Sequence, residues 1–313
     1  MATINAILGV IRAPFLILPV TLVASGAAAA AYDGAFRWSR LLVALVGLVA
    51  LHVAVNVLNE VSDLRSGIDL HTERTPFSGG SGTLPAGRMA EPTARFIGYA
   101  AFVLGAVCGV WFLYEVGWRL VPVFLVGAIC VLAYTDLLAR LCVGECAAGL
   151  GLGALSVIGT AMVQDGTLGA AAVAVSVPAF LMTFNLLLLN EFPDEVADRQ
   201  GGRRNLVIVF GRKAAARLYA VAALLTPLSI LAGVALTILP AVCLVGAFPS
   251  LMLVPALRWA FGDAERPVPL PALGANVLWN LFPQVPLEDH DEVPEEERGP
   301  DGADQRREGG RAA

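Results

Sequence analysis

Long apolar runs return along the chain about every twenty-five residues, and this spacing constrains the fold more than any other feature. A membrane-spanning helix needs about twenty predominantly apolar residues, which is longer than most helices of soluble proteins. The composition agrees, since 57% of the 313 residues are hydrophobic and only 15% are charged. The sequence therefore predicts an all-α, polytopic membrane protein built as a helix bundle.

Nine of these runs are candidate membrane spans. They cover residues 13–31, 41–60, 96–116, 119–138, 144–163, 169–191, 214–238, 241–258 and, more weakly, 268–284. The first run follows Arg12 and could be read as a cleaved signal peptide, but with eight further runs we interpret it as a retained helix. His52 lies within the second run and is expected to pack between helices.

Basic residues are distributed unevenly between the predicted loops. With a cytoplasmic amino terminus, nine spans place fourteen of the 21 Lys and Arg residues in or beside inside loops. The outside connections between helices hold only Arg37, Arg40 and Arg119. An excess of cations on the inside is the usual orientation signal of membrane proteins. The distribution favours nine spans, and we expect an integral protein of the bacterial inner membrane.

The carboxyl-terminal segment differs in composition from the rest of the chain. Residues 287–313 contain ten acidic and four basic residues and show no apolar pattern. Without the charge of −6 on this segment, the net charge of the chain changes from −5 to +1. We therefore predict a membrane domain over residues 1–286 and a disordered acidic tail over residues 287–313 without a catalytic role.

Two short segments of nearly the same sequence close the second and sixth runs, NEVSD at residues 59–63 and NEFPD at residues 190–194. Residues four apart on a helix drift by only about 40° around the axis. Asn190, Asp194 and Asp198 therefore form one polar strip on the sixth predicted helix. The predicted topology places this strip at the cytoplasmic face.

The first segment forms a similar strip on the second predicted helix. Asn59 and Asp63 share one face, and Asn56 extends the strip towards the start of the helix. Beyond Asp63 the chain is expected to leave the helix at Gly67 and to carry Asp69 in a loop. Both strips thus combine carboxylates with an asparagine.

Ionisable groups near membrane depth are costly, so two matching strips favour a functional site over solvated helix ends. Carboxylate and amide oxygens suit Mg²⁺, which commonly bridges protein carboxylates to substrate phosphates. Basic residues follow both strips, namely Arg65, Arg74, Arg199, Arg203, Arg204 and Lys213. The combination predicts a cytoplasm-facing cavity for a metal-bound diphosphate. The alternative is an ion-coupled transporter, whose ionisable groups would lie nearer the bilayer midplane.

These residues resemble the UbiA superfamily of intramembrane prenyltransferases. The likeness rests on the two motifs, on residues 74–88 and 197–212, and on the first helix, and it covers roughly residues 10–283. It implies nine transmembrane helices, with Mg²⁺ and an isoprenyl diphosphate held between the motifs. The diphosphate leaves as its allylic C–O bond breaks, and an electron-rich acceptor captures the carbocation.

The resemblance also implies roles for individual residues. The metal ligands would be Asn59, Glu60, Asp63, Asp69, Asn190, Asp194 and Asp198. The catalytic set would be Asn59, Asp63, Asn190, Asp194 and Asp198. The diphosphate would be bound by Arg65, Arg74, Arg140, Arg199, Arg203 and Lys213. Glu60 stands where the family usually has Asp, which lengthens the side chain by one methylene.

The acceptor is predicted from weaker similarities. The spacing from Asp63 to Asp69, with Gly67 between them, resembles the subgroup that prenylates 1,4-dihydroxy-2-naphthoate in menaquinone synthesis. The resemblance to that subgroup implies that Tyr134 and Glu145 of this chain bind the acceptor. The alternatives are 4-hydroxybenzoate, a glycerol-phosphate lipid and a tetrapyrrole. The expected partners are an isoprenyl diphosphate, a small acceptor and the lipid bilayer, with no nucleic acid.

Overall fold

The computed structural model of the protein describes residues 3–134 and 137–282. All regular elements within these ranges are helical. The α-helices are α1 (Ile4–Val10), α2 (Ile17–Tyr32), α3 (Trp38–Ser66), α4 (Ile68–His71), α5 (Glu91–Glu115), α6 (Val121–Leu132), α7 (Gly144–Ala148), α8 (Leu155–Asp165), α9 (Ala170–Gln200), α10 (Leu206–Phe210), α11 (Arg212–Ala235), α12 (Val254–Phe261) and α13 (Leu270–Asn280). A π-helical segment, Gly149–Ala154, joins α7 to α8, and a 3₁₀ helix, Ala241–Leu253, leads into α12. The predicted acidic tail lies outside the described residues.

Seven helical segments of the described chain are long and apolar enough to cross a membrane, as judged by length and composition. They are Ala13–Tyr32, Trp38–Ser66, Glu91–Glu115, Gly144–Asp165, Ala170–Gln200, Arg212–Ala235 and Ala241–Phe261. The prediction of an all-α membrane protein is confirmed. The predicted fourth span corresponds to the shorter apolar helix Trp118–Leu132, and the described part of the ninth contains the 11-residue α13. Both apolar runs include turn residues, so each helix is shorter than the run that predicted it.

The two longest helices, α3 and α9, carry the two repeated motifs. They contain 29 and 31 residues. At about 1.5 Å per residue they reach about 43 and 46 Å, compared with about 30 Å for the hydrocarbon of a bilayer. α3 ends at Ser66, and the left-handed φ of 81° at Gly67 allows the turn into α4. α9 continues as one helix through Pro178 and Pro193. Each helix is therefore long enough to carry its motif beyond the apolar layer.

One side of α9 belongs to a tightly packed flank of the bundle. There α9 packs against α11, and the ring of Phe192 meets that of Trp259 of α12 edge to face, with 4.8 Å between centroids. Tyr219 of α11 is fully buried, and its hydroxyl lies 3.2 Å from Asn276 Oδ1 of α13. No residue of α10 to α13 in the described chain lines the cavity considered next. This flank holds α9 in place and leaves its opposite face for the cavity.

The outer surface of the bundle is apolar. α3 packs along α5, yet α5 also exposes Phe96 and Val107, α6 exposes Leu125 and α11 exposes Leu228. Large apolar side chains spread over several helices would be costly against water and are suited to lipid. The structure is therefore consistent with an integral membrane protein.

Candidate active site

A cavity of about 470 Å³ lies between the two helices that carry the motifs. Every α-helix from α2 to α9 contributes residues to its wall, together with the segment between α4 and α5 and the π-helical segment. The wall includes these motif residues: Asn59, Asp63, Asp69, Asn190, Asp194 and Asp198. Away from the motifs the wall is mainly apolar and contains small residues such as Gly105, Gly109 and Gly127. The fold thus brings the two motifs together at one cavity.

Arg203 lies between the two motifs. Its Nη2 donates to Asn59 Oδ1 at 3.1 Å and to the carboxylate of Asp63, both on α3. Its Nη1 donates to Asp198 Oδ1 on α9 at 3.2 Å. Asn59 Nδ2 in turn donates to Asp63 Oδ2 at 2.8 Å. One guanidinium therefore joins the acidic strips and balances part of their charge.

The segment after α9 is fixed by a second set of hydrogen bonds. Asn205 caps α10 by accepting the backbone N–H of Ile208 at 2.9 Å, and its Nδ2 donates to Asp198 Oδ2 at 3.0 Å. Glu145 is fully buried, and its Oε1 accepts the backbone N–H of Leu206 at 2.6 Å. These contacts hold the start of α10 against α7 and set the orientation of the Asp198 carboxylate.

The segment between α4 and α5 reaches across the cavity to α9. The backbone N–H of Gly79 donates to Asp194 Oδ2 at 3.2 Å. Gly80 has a φ of 70°, and a Cβ at this position would lie 2.9 Å from Asp69 Oδ1. Only glycine fits both the left-handed backbone and the close approach to the carboxylate. The glycines of this segment therefore let the backbone lie directly against the acidic side chains.

Three oxygens of the predicted metal ligands are buried without a hydrogen-bond partner among the described residues, namely Asp69 Oδ2, Asn190 Oδ1 and Asp194 Oδ1. Burial, and after it the charges of Asp63 and Glu60, raise the pKa of Asp69 to about 7. Leaving a buried polar atom without a partner costs about 1–3 kcal/mol. A cation, or water bound to a cation, would satisfy all three oxygens.

This set of donors fits a hard divalent cation. Mg²⁺ prefers carboxylate and amide oxygens, keeps several waters and is usually held by one or two protein carboxylates. In the part of the chain that the structure describes, no three carboxylate, histidine or cysteine side chains form a ready-made metal cluster. Asp63 and Asp198 instead share Arg203. The site is suited to a metal whose remaining ligands are water and substrate oxygens.

Glu60 has partners that compete with its predicted role as a metal ligand. The residue is fully buried, and Oε1 accepts the backbone N–H of Ser81 at 2.7 Å and Arg12 Nε at 3.1 Å. Oε2 accepts the hydroxyl of Ser81 at 2.6 Å. Both oxygens of Glu60 are thus engaged, and Glu60 anchors the segment between α4 and α5 to α3. Its role as a ligand stays a prediction.

Arg12 is a cavity residue to which sequence reasoning gave no role. It follows α1, has a left-handed φ of 52° and lines the cavity beside its partner Glu60. The available signal was its position, since Arg12 is the first basic residue of the chain and directly precedes an apolar run. Arg12 and Arg203 are the two cations in the described wall of the cavity.

The other predicted diphosphate-binding residues lie outside that wall. Two of them form ion pairs nearer the surface, Arg65 with Glu91 at 2.5 Å and Arg199 with Glu195 at 3.0 Å. The second pair joins residues one turn apart on the same helix. The structure thus directs both cations towards neighbouring carboxylates, and their predicted role stays a prediction.

The remaining three cations occupy different positions. Arg74 donates to the backbone oxygen of Asp69 at 2.6 Å and so braces α4. Lys213 lies 3.9 Å from Glu265 and is exposed. Arg140 is exposed on the turn before α7. Of these, Arg74 is joined directly to a motif residue.

The two predicted acceptor residues differ in position. Tyr134 lines the cavity, whereas Glu145 lies behind the wall and holds α10. His52 and Thr183 also line the cavity, although the sequence predicted a helix-packing role for His52 and none for Thr183. Periodicity places His52 on the same helix as Asn59, but it does not show which face points to a cavity.

Comparison with known proteins gives the family context. Residues 17–270 match the family described as the UbiA prenyltransferase family. Over 182 residues, the chain is 25% identical to the 1,4-dihydroxy-2-naphthoate octaprenyltransferase of Bacillus subtilis (strain 168), and the match covers 57% of each chain. The chain therefore spans little more than half the length of this curated relative.

Solved structures share the fold at low sequence identity. A UbiA homologue from Aeropyrum pernix K1, in its apo form, superimposes with a TM-score of 0.66 at 18% identity, covering 87% of this chain and 95% of the other. A UbiA homologue from Archaeoglobus fulgidus bound to GPP and Mg²⁺ gives a TM-score of 0.62 at 13% identity, covering 88% and 96%. Both likenesses concern the arrangement of helices.

Proposed function

Because this chain belongs to the UbiA prenyltransferase family, we propose that it transfers a polyprenyl group from an isoprenyl diphosphate to a hydroxylated aromatic ring with the help of Mg²⁺. The observation that carries the proposal is the meeting of both motifs at one largely apolar cavity. Unpartnered oxygens of Asp69, Asn190 and Asp194 lie in its polar part. The family assignment replaces the alternative of an ion-coupled transporter.

The metal would be held by the motif oxygens. Asp69, Asn190 and Asp194 offer free oxygens, and Asp63 and Asp198 become available if Arg203 turns to the diphosphate. When bound, Mg²⁺ neutralises the charge that develops on the diphosphate as it leaves. The bound metal in the Archaeoglobus fulgidus homologue supports this proposal.

The protein's own side chains bind the diphosphate and the prenyl chain. Arg203 can donate two parallel N–H bonds to diphosphate oxygens, and Arg12 supplies a second positive charge at the cavity. The allylic C–O bond breaks with its electrons leaving on the diphosphate. The carbocation then bonds to a ring carbon of the acceptor, and the proton displaced from that carbon passes to the released diphosphate or to water. Apolar residues of α5, α6 and α8 hold the prenyl chain and exclude water from the cation.

The acceptor that we propose is 1,4-dihydroxy-2-naphthoate, which would place the protein in menaquinone biosynthesis. The Bacillus subtilis relative supports this choice. Tyr134 lines the cavity and could contact the acceptor ring. 4-Hydroxybenzoate, a glycerol-phosphate lipid and a tetrapyrrole are the competing acceptors. We place the enzyme in the bacterial inner membrane with the motif end facing the cytoplasm, as the positive-inside rule indicates.

Product formation tests the proposal. Purified protein in detergent is incubated with Mg²⁺, a labelled long-chain prenyl diphosphate and either 1,4-dihydroxy-2-naphthoate or 4-hydroxybenzoate, with and without chelator. We expect chelator-sensitive product from the naphthoate alone. Binding of the diphosphate without product from either ring would leave the family activity intact and overturn the proposed acceptor. Product formation that is insensitive to chelator would overturn the Mg²⁺ dependence.

A further inference from the structure

Among the polar side chains of the cavity without an assigned role, two neutral ones lie on the motif helices α3 and α9 and are buried. His52 of α3 and Thr183 of α9 are 8% and 2% exposed, and both line the cavity. His52 Nε2 and Thr183 Oγ1 are buried without a hydrogen-bond partner among the described residues. Each such atom costs about 1–3 kcal/mol if it stays unpaired. A ligand that supplies hydrogen bonds to both would remove this cost.

The two side chains have the same sequence offset from the motif asparagines of their helices. His52 precedes Asn59 by seven residues, and Thr183 precedes Asn190 by seven residues. Seven residues of α-helix make almost two turns, so each polar side chain lies on nearly the same face as its asparagine and about 10 Å further along the helix. We call the part of the cavity lined by His52 and Thr183 its polar level, which on each helix is about 10 Å from the motif asparagine.

The chemistry of this polar level differs from that of the motifs. Imidazole and hydroxyl groups are neutral hydrogen-bonding partners, whereas both cations of the described wall, Arg12 and Arg203, contact the motif residues Glu60, Asp63 and Asp198. Both cations are already paired with carboxylates, so a phosphate bound at this level would find no unpaired cation in the described wall. A prenyl chain carries no polar group that could pair with either side chain. The level is suited to a neutral hydroxyl or carbonyl oxygen.

We propose that His52 and Thr183 form a subsite that binds a ring hydroxyl or carbonyl of the acceptor. The inference rests on the proposed function, because it assumes that an aromatic acceptor shares the cavity with the prenyl diphosphate. Thr183 can donate to or accept from such an oxygen, and His52 can do either according to its tautomer. The subsite selects oxygenated rings over plain hydrocarbons, since only the former pair with both buried groups.

Equilibrium binding of labelled 1-naphthol and labelled naphthalene, in the same detergent, tests the subsite without turnover. Relative to naphthalene, the unaltered protein should bind 1-naphthol about tenfold more tightly, after correction for partition into empty micelles. His52→Leu and Thr183→Val should each reduce this ratio by about threefold to tenfold. His52→Gln should restore part of it, because the amide can still form the hydrogen bond.

A matched control separates the subsite from general effects on helix packing. Thr226→Val removes another buried hydroxyl, which bonds to the Ala222 carbonyl of its own helix and does not line the cavity. This variant should keep the full preference for 1-naphthol. Equal binding of both probes by the unaltered protein would overturn the proposal. A preference for 1-naphthol that both Thr183→Val and His52→Leu retain would also overturn it, and would mean that water pairs with the two side chains.

A parallel measurement keeps this test apart from the proposed function. Inorganic diphosphate, which has no prenyl chain to reach the polar level, should bind with Mg²⁺ equally well to Thr183→Val and to the unaltered protein, since the substitution is about 10 Å from the motif level. If the unaltered protein binds no diphosphate, the proposed function itself is refuted. Normal diphosphate binding without discrimination between the probes would refute only the subsite.

Discussion

The backbone N–H of Gly79 lies 3.2 Å from Asp194 Oδ2, so the segment that follows the first motif is hydrogen-bonded to the second. The same segment is tied to α3, because Ser81 donates both its N–H and its hydroxyl to Glu60. One loop therefore bridges α3 and α9 at the motif end of the cavity. A change in this loop should alter both motifs together.

Asp194→Asn should reduce prenyl transfer by at least about 100-fold, because the neutral amide is a poor metal ligand and removes a charge that faces the leaving diphosphate. The amide oxygen can still accept the Gly79 N–H, so the melting temperature should change by no more than about 3 °C. Initial rates at saturating Mg²⁺ measure the loss. A rate close to that of the unaltered protein would remove Asp194 from the proposed metal site.

Arg203→Gln should weaken binding of the diphosphate and increase the stabilisation of the protein by Mg²⁺. Diphosphate affinity should fall by about tenfold or more, because two charge-assisted bonds are lost. In chelator the variant should be destabilised by about 2–3 kcal/mol, since Asp63 and Asp198 lose their shared cation, and Mg²⁺ should restore part of that stability. Thermal unfolding with and without Mg²⁺ tests this. Arg217→Gln, at an exposed position on α11, is the control. Equal responses of the two variants to Mg²⁺ would contradict the prediction.

Glu60→Asp should loosen the loop between α4 and α5. The side chain is one methylene shorter and cannot reach both Ser81 donors and Arg12 from the same backbone position. We expect faster hydrogen exchange at the Ser81 amide and a loss of stability of about 1–3 kcal/mol. Hydrogen exchange read by mass spectrometry on peptides of residues 72–90 measures this. Unchanged protection of the loop would show that Glu60 is not its anchor.

We expect Gly80→Ala to destabilise the protein more than Gly87→Ala does, because only the first brings a methyl group against Asp69. Both glycines have positive φ, 70° and 66°, but a Cβ would meet Asp69 Oδ1 at position 80 and open space at position 87. Each substitution should cost about 1 kcal/mol for the left-handed backbone, and Gly80→Ala should cost more. The difference should appear in thermal unfolding and in a weaker stabilising effect of Mg²⁺. Equal effects of the two substitutions would mean that Asp69 moves freely away from the loop.

The stability of the ligand-free protein should depend on pH through Asp69. Its pKa is about 7 in the folded protein, compared with about 3.9 in an unfolded chain, so the folded state binds the proton more tightly. Stability should therefore fall as the pH rises from about 4 to about 7. Asp69→Asn should flatten this decrease when unfolding is followed in chelator. A variant with the same pH dependence as the unaltered protein would exclude Asp69 as its source.

The sequence predicted the bundle and the meeting of the motifs because both depend on local patterns. Apolar runs of about twenty residues specify spanning helices, and the four-residue spacing of Asn190, Asp194 and Asp198 specifies one helix face. The partners of Arg65 and Arg199 could not be predicted in this way. Nearby carboxylates compete for a cation, and the outcome depends on tertiary distances that sequence spacing does not encode.

Other parts of the site required the tertiary structure for a different reason. Glu60 lies on a motif helix, but its engagement with Ser81 and Arg12 depends on how a glycine-containing loop folds back onto α3. His52 lies in an apolar run, where a polar residue can face a neighbouring helix or a cavity with the same sequence pattern. The tertiary arrangement of the helices around α3 decides between the two.

The π-helical segment Gly149–Ala154 separates Glu145 from Ser156 on one membrane span. A π turn holds one residue more than an α turn, so it rotates the residues on its two sides by about 100° relative to a continuous α-helix. The span therefore consists of two parts with independent angular phase, one holding α10 through Glu145 and one presenting Ser156 to the cavity. A one-residue deletion in this glycine-rich segment would convert the span into a continuous α-helix. Either Glu145 would then rotate away from α10 or Ser156 would rotate away from the cavity.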